Sequence, residues 1–500
     1  MIKPRKILEE IREKKLHEKK DWRLKLDENE NIYACPQSIV SIAKNAKEAD
    51  ICQVSNCAEL IKKFSKKYSI EENNILFSNN INEILRNIFD GYLEKEDIIA
   101  CFKTNSDFIN KYALINDIKA LNLDDVSQLQ KEVKIVYICT PNDITGEVIK
   151  ASCVENLLKE FSETLFIFDC TYINFALNST LEDYIELIKN YDNVAIIKSF
   201  EKDFAMVGVG FAFALANFEI INNISKISFV DINSIALNCI SIVLNDDKRV
   251  EEIKELNKNA RELLFENLIQ RQFTPFDSQA NFILCDFKNY CEFYYEKLKQ
   301  NGIITKNFPK NSTYSSCLRI TIPTVGGVKF LCEILNKKDV LIFSDEVMLK
   351  YEKENDEFEF LLDENTIKEL FKNYDLVIYT KNDADKIKEF LKEQEIEKYF
   401  YYIFSSNSAT ANSDSLAKLK ESCPYKKIKL ISSNIENIIK ANMADIEVIA
   451  VIMPEDDFNG VINNYRHLGV KNILGDYKNL FDFIVQLDNF NSIQDNFIIN

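Results

Sequence analysis

The sequence SFEKDFAMVGVG, residues 199–210, lies between two apolar runs, Val194–Lys198 and Val209–Leu215. Near-continuous runs of this length, rich in β-branched and small apolar residues, predict strands that are buried on both faces of a sheet. The segment between the runs contains three consecutive charged residues, Glu201, Lys202 and Asp203. The sequence therefore predicts a lysine and a carboxylate where a buried strand ends.

The same pattern extends outward over residues 73–215, where short apolar runs alternate with amphipathic segments. This alternation is typical of a mainly parallel sheet with helices on both faces. The pattern restarts after residue 245 and again after residue 338, so we expect three α/β units and a short linker at 336–338. The predicted boundaries are an N-terminal arm at 1–30, a large domain at 31–245, a small domain at 246–336 and a doubly wound domain at 339–500.

Composition excludes several classes of function. The 62 basic and 79 acidic residues give a net charge of −17, whereas nucleic acids and anionic membranes attract basic surfaces. The two histidines, His17 and His467, are far apart in the sequence, and no C-x-x-C pair occurs among the 13 cysteines, so we expect no metal site. Scattered cysteines and the lack of a signal-peptide pattern predict a protein of the reduced cytoplasm without a membrane anchor.

Six segments carry a family resemblance. They are LDENENIY (26–33), TPNDITG (140–146), FDCTYINFA (168–176), SFEKDFAMVGVG (199–210), SQANFIL (278–284) and LRIT (318–321). In this order and spacing they resemble the fold-type-I aminotransferases that depend on pyridoxal 5′-phosphate (PLP), most closely the histidinol-phosphate aminotransferase group. The resemblance implies the large and small domains of that α/β fold over about residues 22–335.

The resemblance assigns catalytic roles to three residues. Lys202 would hold PLP as a Schiff base and then move the proton. Asp169 would keep the pyridine nitrogen protonated, which makes the ring an electron sink. Tyr172 would donate to the ring hydroxyl.

Further residues are implied on the substrate and cofactor sides. Arg319 would bind the substrate carboxylate with its planar guanidinium, and Asn281 and Asn29 would lie beside it. Asp143 takes the place of the asparagine that contacts the ring hydroxyl, and Asn79 belongs to the phosphate-binding turn. The implied activity is transfer of an amino group between an amino acid or amino phosphate and a keto acid, in a C2 homodimer.

The phosphate end departs from the family pattern. Gly210 replaces the arginine, Glu201 replaces the serine before the lysine, and Ile81 replaces a hydroxyl residue in the turn at 78–83. Loss of a cation and gain of an anion should weaken PLP binding severely, unless Lys198 or Lys103 enters the phosphate cup. The orientations of Glu201 and of these two lysines therefore discriminate an active from an inactive site.

Two aromatic positions also differ. The tyrosine that the family lends across the dimer corresponds to Cys52. The aromatic residue that stacks on the cofactor ring corresponds to Ser106, unless Phe108 shifts to fill that place.

After residue 339, a second resemblance rests on three segments. They are VLIFSDEVML (340–349), LVIYTKND (376–383) and KLISSNIENIIKANMADIEVIAV (429–451). They resemble the motifs of the haloacid-dehalogenase superfamily, which implies a Rossmann-like domain of the phosphatase type.

The phosphatase resemblance implies that the family's catalytic residues are replaced in this sequence. The nucleophile position is Ser344 and the acid/base position is Glu346, whereas the family has aspartates at both. Thr380 keeps the phosphate-binding hydroxyl, but the motif-four acidic positions are Ser433 and Asn437. Asp345 cannot replace the nucleophile by a one-residue shift, because its side chain should point to the opposite face of the strand and its acid partner would be Val347. We therefore expect a catalytically inactive domain without Mg²⁺ that has a structural or regulatory role or binds a protein partner.

Three functions remain open on the sequence alone. The first is a PLP-dependent aminotransferase with an inactive phosphatase-like domain. The second is a non-catalytic protein, a pseudoenzyme without PLP or Mg²⁺, that serves as a binding or assembly module. The third is a small-molecule sensor that holds a carboxylate through Arg319.

Overall fold

The computed structural model describes most of the chain. The described residues are 5–9, 22–33, 35–48, 50, 56–102, 107–228, 231–336, 338–352, 357–405, 415–422, 427–453, 456–475, 479–489 and 497–499. Their contacts divide the chain into two compact units. The first comprises Met1–Asp286 and Ile304–Cys332, and the second comprises Phe287–Ile303 and Glu333–Asn500.

Two sheets form the framework of the first unit. Its strands are β1 (Leu24–Leu26), β2 (Ile75–Ser78), β3 (Ile98–Phe102), β4 (Lys119–Leu123), β5 (Val133–Cys139), β6 (Leu165–Asp169), β7 (Val194–Ser199), β8 (Ala212–Ala216), β9 (Thr274–Pro275), β10 (Phe282–Asp286), β11 (Ile303–Asn307) and β12 (Cys317–Thr321). The large sheet has the order β2-β8-β7-β6-β5-β3-β4, and the small sheet has the order β1-β11-β12-β10-β9. In the large sheet β8 is antiparallel to both of its neighbours, whereas β7, β6, β5, β3 and β4 pair in parallel.

Helices connect these strands. They are α1 (Gln37–Lys44), α2 (Ala58–Tyr68), α3 (Ile81–Tyr92), α4 (Asp107–Asn116), α5 (Ala151–Glu160), α6 (Leu181–Asn190), α7 (Glu201–Phe204), α8 (Phe218–Ser225), α9 (Ser234–Val243) and α10 (Asp247–Gln270). Polar side chains fix where several helices begin: Asn80 caps α3 and Asp246 caps α10 by accepting from backbone amides of the first turn. The capped start of α3 follows β2 directly and belongs to the turn at 78–83 described below.

The second unit is a doubly wound α/β layer. Its helices are α11 (Cys291–Gln300), α12 (Val325–Ile334, whose last residues belong here), α13 (Asp345–Met348), α14 (Glu364–Asn373), α15 (Ala384–Glu393), α16 (Ser415–Ser422), α17 (Ile435–Met443), α18 (Phe458–His467) and α19 (Leu480–Asn489). Its strands are β13 (Asp339–Ser344), β14 (Leu349–Glu352), β15 (Glu357–Phe360), β16 (Tyr374–Thr380), β17 (Phe400–Ser405), β18 (Ile428–Ser432), β19 (Glu447–Val451), β20 (Asn472–Leu474) and β21 (Phe497–Ile499).

The order of the second unit's main sheet is β17-β16-β13-β18-β19-β20-β21, with parallel pairing throughout. The chain winds in one direction from β13 to β17 and in the other from β18 onward. The carboxyl ends of β13 and β18 therefore meet at a topological switch point, where sheets of this type place their ligand crevices.

The sequence predictions agree closely with the observed elements. The predicted bounds of Ile98–Phe102 and Leu165–Asp169 match β3 and β6, and the long helix predicted at Asp246–Arg271 is observed at Asp247–Gln270. The α/β sheet predicted after residue 339 is confirmed as a sheet. Within the described residues, no helix is long and apolar enough to cross a membrane.

Candidate functional site

Asp169 lies at the carboxyl end of β6 and is buried among hydrogen-bond donors. Its Oδ1 accepts from the backbone amide of Thr171 (3.0 Å) and from the Thr171 hydroxyl (2.6 Å), and its Oδ2 accepts from the Tyr137 hydroxyl (2.8 Å). Burial raises the pKa of Asp169, the donors of Thr171 and Tyr137 lower it, and the charge of Asp143 raises it. The carboxylate is therefore oriented firmly, and a cationic partner would stabilise its charged form.

Lys202 is the second residue of the one-turn helix α7, which follows β7. Its Nζ donates to the carbonyl oxygen of Glu28 at 3.0 Å. Burial lowers the pKa of the ammonium, and the nearby carboxylates of Glu201 and Glu30 oppose this shift. A lysine with a lowered pKa releases its proton more readily and is a better nucleophile.

Asn29 joins Tyr172 to the small sheet in one buried network. Its Nδ2 donates to the Tyr172 hydroxyl (3.2 Å), and its backbone amide donates to the Thr321 hydroxyl (3.0 Å). Asn281 Nδ2 donates to the carbonyl oxygen of Asn29 (3.0 Å), while the buried Oδ1 of Asn281 has no hydrogen-bond partner within the described part of the chain. The Tyr172 ring stands edge-on to the ring of Phe282, with centroids 5.4 Å apart. The network therefore contains an unused hydrogen-bond acceptor, which suits a ligand that donates a hydrogen bond.

Arg319 lies on β12, opposite Leu284 of β10. Its Nη1 donates to the carbonyl oxygen of Asp143 (2.7 Å) and its Nη2 to that of Asp27 (3.1 Å). The guanidinium carbon lies 5.3 Å from the centre of the Phe282 ring, an arrangement that favours a cation. The positive charge of Arg319 acts on both Tyr172 and Lys202, since it lowers the pKa of each.

The loop at 140–146 is held by its own asparagine. Asn142 Oδ1 accepts from the backbone amides of Ile144 (3.0 Å) and Thr145 (2.9 Å). Gly146 has a positive φ of 78°, and a Cβ there would meet the Ser278 hydroxyl at 2.0 Å, so this turn requires glycine. The loop thereby fixes the position of Asp143, whose carbonyl oxygen receives Arg319.

The turn at 78–83 contains Asn79 and leads into α3. Glu83 folds back over the turn: its Oε2 accepts from the Ser78 hydroxyl (2.6 Å) and from the Asn79 amide (3.4 Å). Gly210 lies against this turn, since a Cβ there would be 3.4 Å from the carbonyl oxygen of Asn79. The structure thus brings Gly210 and the turn together, as the resemblance implies.

The expectation that Lys198 could enter the phosphate cup is wrong. Residues alternate between the faces of β7, and Lys198 shares its face with Val194 and Ile196, away from the face of Ala195 and Ile197 that packs with Tyr137 and Tyr172. Lys198 Nζ instead forms a buried ion pair with Asp203 Oδ2 at 2.8 Å. Glu201 is half-buried beside Lys202, and burial raises its pKa.

Three residues named by the resemblance lie outside the described residues. They are Cys52, Lys103 and Ser106. Phe108 is described and packs near Phe89 in a stacked arrangement, with ring centroids 6.2 Å apart.

A second polar cluster lies at the switch point of the second unit. The Ser344 hydroxyl donates to Glu346 Oε2 (2.5 Å), and the hydroxyl of Ser432 donates to Glu346 Oε1 (2.6 Å). Asn437 Nδ2 donates to the Ser344 hydroxyl (2.7 Å), while its buried Oδ1 has no hydrogen-bond partner within the described ranges. Ser433 contributes its backbone carbonyl to the Tyr465 hydroxyl (2.7 Å), so the contact with Glu346 comes from its neighbour Ser432.

Asp345 does not point to the opposite face, and that expectation is wrong. The strand β13 ends at Ser344, and Asp345 begins helix α13, so strand alternation no longer applies to it. Its Oδ2 accepts from the hydroxyl of Thr380 (2.5 Å) and from Asn382 Nδ2 (2.8 Å). Burial raises the pKa of Asp345 to about 6. The charge of Glu346 reinforces this shift, and the two donors oppose it.

Several of these residues escaped the sequence reasoning. The missed residues are Asp27, Tyr137, Thr171, Thr321, Asn382 and Ser432. A polar residue in or directly after an otherwise apolar strand is the signal they share in most cases, as with Tyr137 in the run at 133–139. Within the described residues, no group of three or more His, Cys, Asp and Glu side chains could hold a metal ion.

The donor set fits one half of the PLP molecule. Asp169, Tyr172 and Lys202 offer a carboxylate, a phenol and an amine of lowered pKa, which are the groups required around the pyridine ring and the aldehyde. The phosphate end does not fit, because Gly210 has no side chain to offer and Glu201 and Ile81 replace hydroxyl residues. This disagreement is confined to one end of the site.

Comparisons with known proteins agree with the fold of the first unit. The family described as aminotransferase class I and II matches residues 23–335. The histidinol-phosphate aminotransferase of Clostridium beijerinckii is 28% identical over 326 residues, covering 62% of this chain and 90% of that protein. That of Brachyspira hyodysenteriae is 28% identical over 321 residues, covering 60% and 88%.

Solved structures show the same fold. The histidinol-phosphate aminotransferase of Sinorhizobium meliloti, solved in complex with pyridoxal-5′-phosphate, has a TM-score of 0.57 at 17% identity and covers 63% of this chain and 91% of that one. The enzyme of Clostridium acetobutylicum has a TM-score of 0.55 at 23% identity and covers 62% and 98%. Since the family match spans more than half of the sequence, the chain belongs to the class I and II aminotransferase family.

Proposed function

We propose that the first unit carries out PLP-dependent amino-group transfer at Lys202, with an amino acid or amino phosphate and a keto acid as substrates. The observation that carries this proposal is that Tyr172, Lys202 and Arg319 all contact the segment 27–29. Curated relatives that the chain covers for most of their length are histidinol-phosphate aminotransferases. Their shared substrate class supports an amino phosphate as one candidate.

Each side chain has a role that its surroundings support. PLP, when bound, supplies an electron sink that stabilises negative charge on the substrate carbon. Lys202 has an ammonium of lowered pKa, so its amine can accept and return a proton at Nζ. Asp169 is oriented by Tyr137 and Thr171 to face a protonated ring nitrogen, and Arg319 can exchange its carbonyl partners for a substrate carboxylate.

The test is covalent labelling of the full chain. The protein is mixed with PLP, its visible absorption is recorded, and borohydride is added before peptide mapping by mass spectrometry. The proposal expects an absorption band and a reduced adduct on Lys202, both lost in Lys202→Ala and retained in the control Lys226→Ala, which changes a distant lysine. Loss of the band in both variants, or labelling of another lysine, would contradict it.

The second candidate is a non-catalytic binding or assembly protein. Glu201 and Gly210 at the phosphate end favour it, as does the ion pair that keeps Lys198 on the other face of the sheet. This candidate predicts no band and no adduct with any aldehyde of this ring. The labelling experiment therefore separates the two functions.

We further propose that residues 339–500 form a haloacid-dehalogenase-like domain without phosphatase activity. Support comes from Ser344 in the nucleophile position, where its hydroxyl donates to Glu346 and accepts from Asn437. The family's aspartate nucleophile is replaced by Ser344, and the motif-four positions Ser433 and Asn437 offer no carboxylate for Mg²⁺. The full chain should release no phosphate from p-nitrophenyl phosphate with Mg²⁺, and turnover that Asp345→Asn or Ser344→Ala abolishes would contradict the proposal.

The assembly proposed for the protein is a C2 homodimer, with the second unit free to bind another protein. Support is the family membership of residues 23–335. Light scattering of the purified chain should give twice the monomer mass of 58.1 kDa. A monomer at micromolar concentration would contradict the dimer.

A further inference from the structure

The start of α3 already contains an anion. The Glu83 carboxylate accepts from the Ser78 hydroxyl at 2.6 Å and from the Asn79 amide at 3.4 Å. Asn80 Oδ1 accepts from the Glu83 amide at 3.0 Å. A helix amino terminus attracts anions through its free amides and its dipole, and here a side chain of the same turn takes part of that capacity.

The resemblance assigns a second carboxylate, Glu201, to the same end of the site. Glu201 is the first residue of α7 and directly precedes Lys202, and burial raises its pKa. In its ionised form this carboxylate would repel an adjacent phosphate, and in its protonated form it would supply no positive charge to attract one. The family has an arginine at the position of Gly210 and a hydroxyl residue at the position of Ile81. Here these two positions supply neither a cation nor a hydroxyl.

The lysine on the adjoining strand does not compensate. Lys198 pairs with Asp203 at 2.8 Å, also donates to the carbonyl oxygen of Cys170 at 3.4 Å, and both partners of the pair are buried. Breaking such a pair to serve a phosphate would leave Asp203 buried without its counter-ion. Among the described residues, the departures from the family pattern at the phosphate end thus add one carboxylate, Glu201, and supply no cation.

These charges determine which ligand the site prefers. At about 5 Å and an effective dielectric near 20, one unit of charge changes a binding constant by roughly 100-fold. The ring end of the site does not distinguish the two aldehydes, since Asp169 and Tyr172 would contact the ring nitrogen and the ring hydroxyl that both share. We propose, on the basis of the proposed function of Lys202, that the site takes the non-phosphorylated form of the ring aldehyde, pyridoxal or a close analogue, in preference to PLP.

The covalent step is the same for both aldehydes. Nζ of Lys202 bonds to the aldehyde carbon and one water leaves. Borohydride then delivers a hydride to that carbon, and the nitrogen takes a proton from solvent. The step itself therefore does not distinguish the ligands, and only the charge of the remote substituent does.

The test titrates the full chain with PLP and with 5′-deoxypyridoxal, which keeps the ring and aldehyde but carries a methyl group in place of the phosphate ester. Visible absorption gives the two dissociation constants, and reduced adducts on Lys202 confirm the site. We expect deoxypyridoxal to bind at least as tightly as PLP. Added salt should tighten PLP binding, because salt screens repulsion, and should leave deoxypyridoxal unchanged.

Matched variants locate the cause. Glu201→Gln removes the charge and keeps the shape of the side chain. It should therefore lower the dissociation constant of PLP, relative to that of deoxypyridoxal, by about tenfold or more. Glu219→Gln removes an exposed carboxylate on α8 and should leave the ratio unchanged. Binding of deoxypyridoxal to Glu201→Gln within about threefold of wild type shows that the variant is folded.

The outcomes are distinct. PLP binding about 100-fold tighter than deoxypyridoxal in the wild type would overturn the inference and leave the proposed function standing. If Lys103→Ala then abolished that preference, the phosphate would be assigned to Lys103. An unchanged ratio in Glu201→Gln would also overturn the inference. An adduct with neither aldehyde would overturn the proposed function and the inference together.

Discussion

The Asp169 carboxylate shows how neighbouring donors fix the orientation of a single buried side chain. Its two oxygens accept three hydrogen bonds from Tyr137 and Thr171, and burial would otherwise favour its neutral form. The phenol on β5 was not predicted from the sequence, because a tyrosine in an apolar run is as consistent with core packing as with a polar role. The position of Asp169 itself was predicted, because it follows a clear buried strand.

Removing the phenol hydroxyl should loosen this carboxylate. Tyr137→Phe leaves Asp169 Oδ2 buried with one donor fewer, so we expect a loss of about 1.5 kcal/mol in the free energy of unfolding. Calorimetry of the first thermal transition measures it. The control Tyr191→Phe removes a hydroxyl bonded to Glu155 at 3.2 Å in a half-buried place, and an equal loss there would contradict the special role of Tyr137.

A second residue-scale prediction concerns Asp345, whose folded pKa of about 6 lies above its ordinary value of 3.8. Between these values the folded state binds more protons than the unfolded state, so stability falls as the pH rises through this window. Asp345→Asn removes the fall and should stabilise the second unit at pH 7 by at most about 3 kcal/mol. Near pH 4 the variant and the wild type should agree.

Hydrogen exchange of peptides from β13 and β16 measures this difference, with variant and wild type compared at each pH. The exposed Asp385→Asn serves as the control and should change nothing. Equal protection of wild type and Asp345→Asn at pH 7 would show that the carboxylate is not strained by burial.

At the scale of elements, the strands were largely predictable and the junctions were not. Apolar runs such as Leu165–Asp169 mark buried strands directly, because both of their faces are covered. The hairpin β14–β15 and the strand β17 (Phe400–Ser405) were missed, since short aromatic-rich segments do not separate strand from helix by periodicity. The change from strand to helix at Asp345 was missed for a related reason, as alternation ends where the strand ends.

The faces of β7 lead to an element-scale prediction. Lys198→Met leaves Asp203 buried without its counter-ion, so we expect destabilisation of about 3–5 kcal/mol. The double variant Lys198→Met with Asp203→Asn should regain at least half of that loss. Chemical denaturation of the full chain measures both, and a loss below about 1 kcal/mol for Lys198→Met would contradict a structural role for the pair.

At the scale of the whole molecule, the chain divides at places that the sequence did not indicate. The linker was expected at 336–338, yet helix α11 at 291–300 belongs to the second compact unit. Lys297 of α11 forms a buried ion pair with Asp375 (2.7 Å), and Gln300 donates to the carbonyl oxygen of Phe400 (2.6 Å). Such contacts between distant segments leave no local mark in the sequence.

This packing predicts that the aminotransferase part does not stand alone. A chain that ends at residue 336 keeps α11 but loses Asp375 and Phe400, so Lys297 and the aromatic face around it become exposed. We expect a lower soluble yield and an earlier thermal transition than in the full chain. A truncated protein with the same transition temperature as the full chain would contradict the assignment of α11 to the second unit.

The central claim is that Lys202 lies in a working carbonyl-binding site built by the first unit. Borohydride trapping with 5′-deoxypyridoxal, followed by peptide mapping, tests it most directly, because the readout requires neither a phosphate nor a known substrate. We expect one reduced adduct, located on Lys202 and lost in Lys202→Ala. No adduct, or an adduct spread over surface lysines and unchanged in Lys202→Ala, would contradict it.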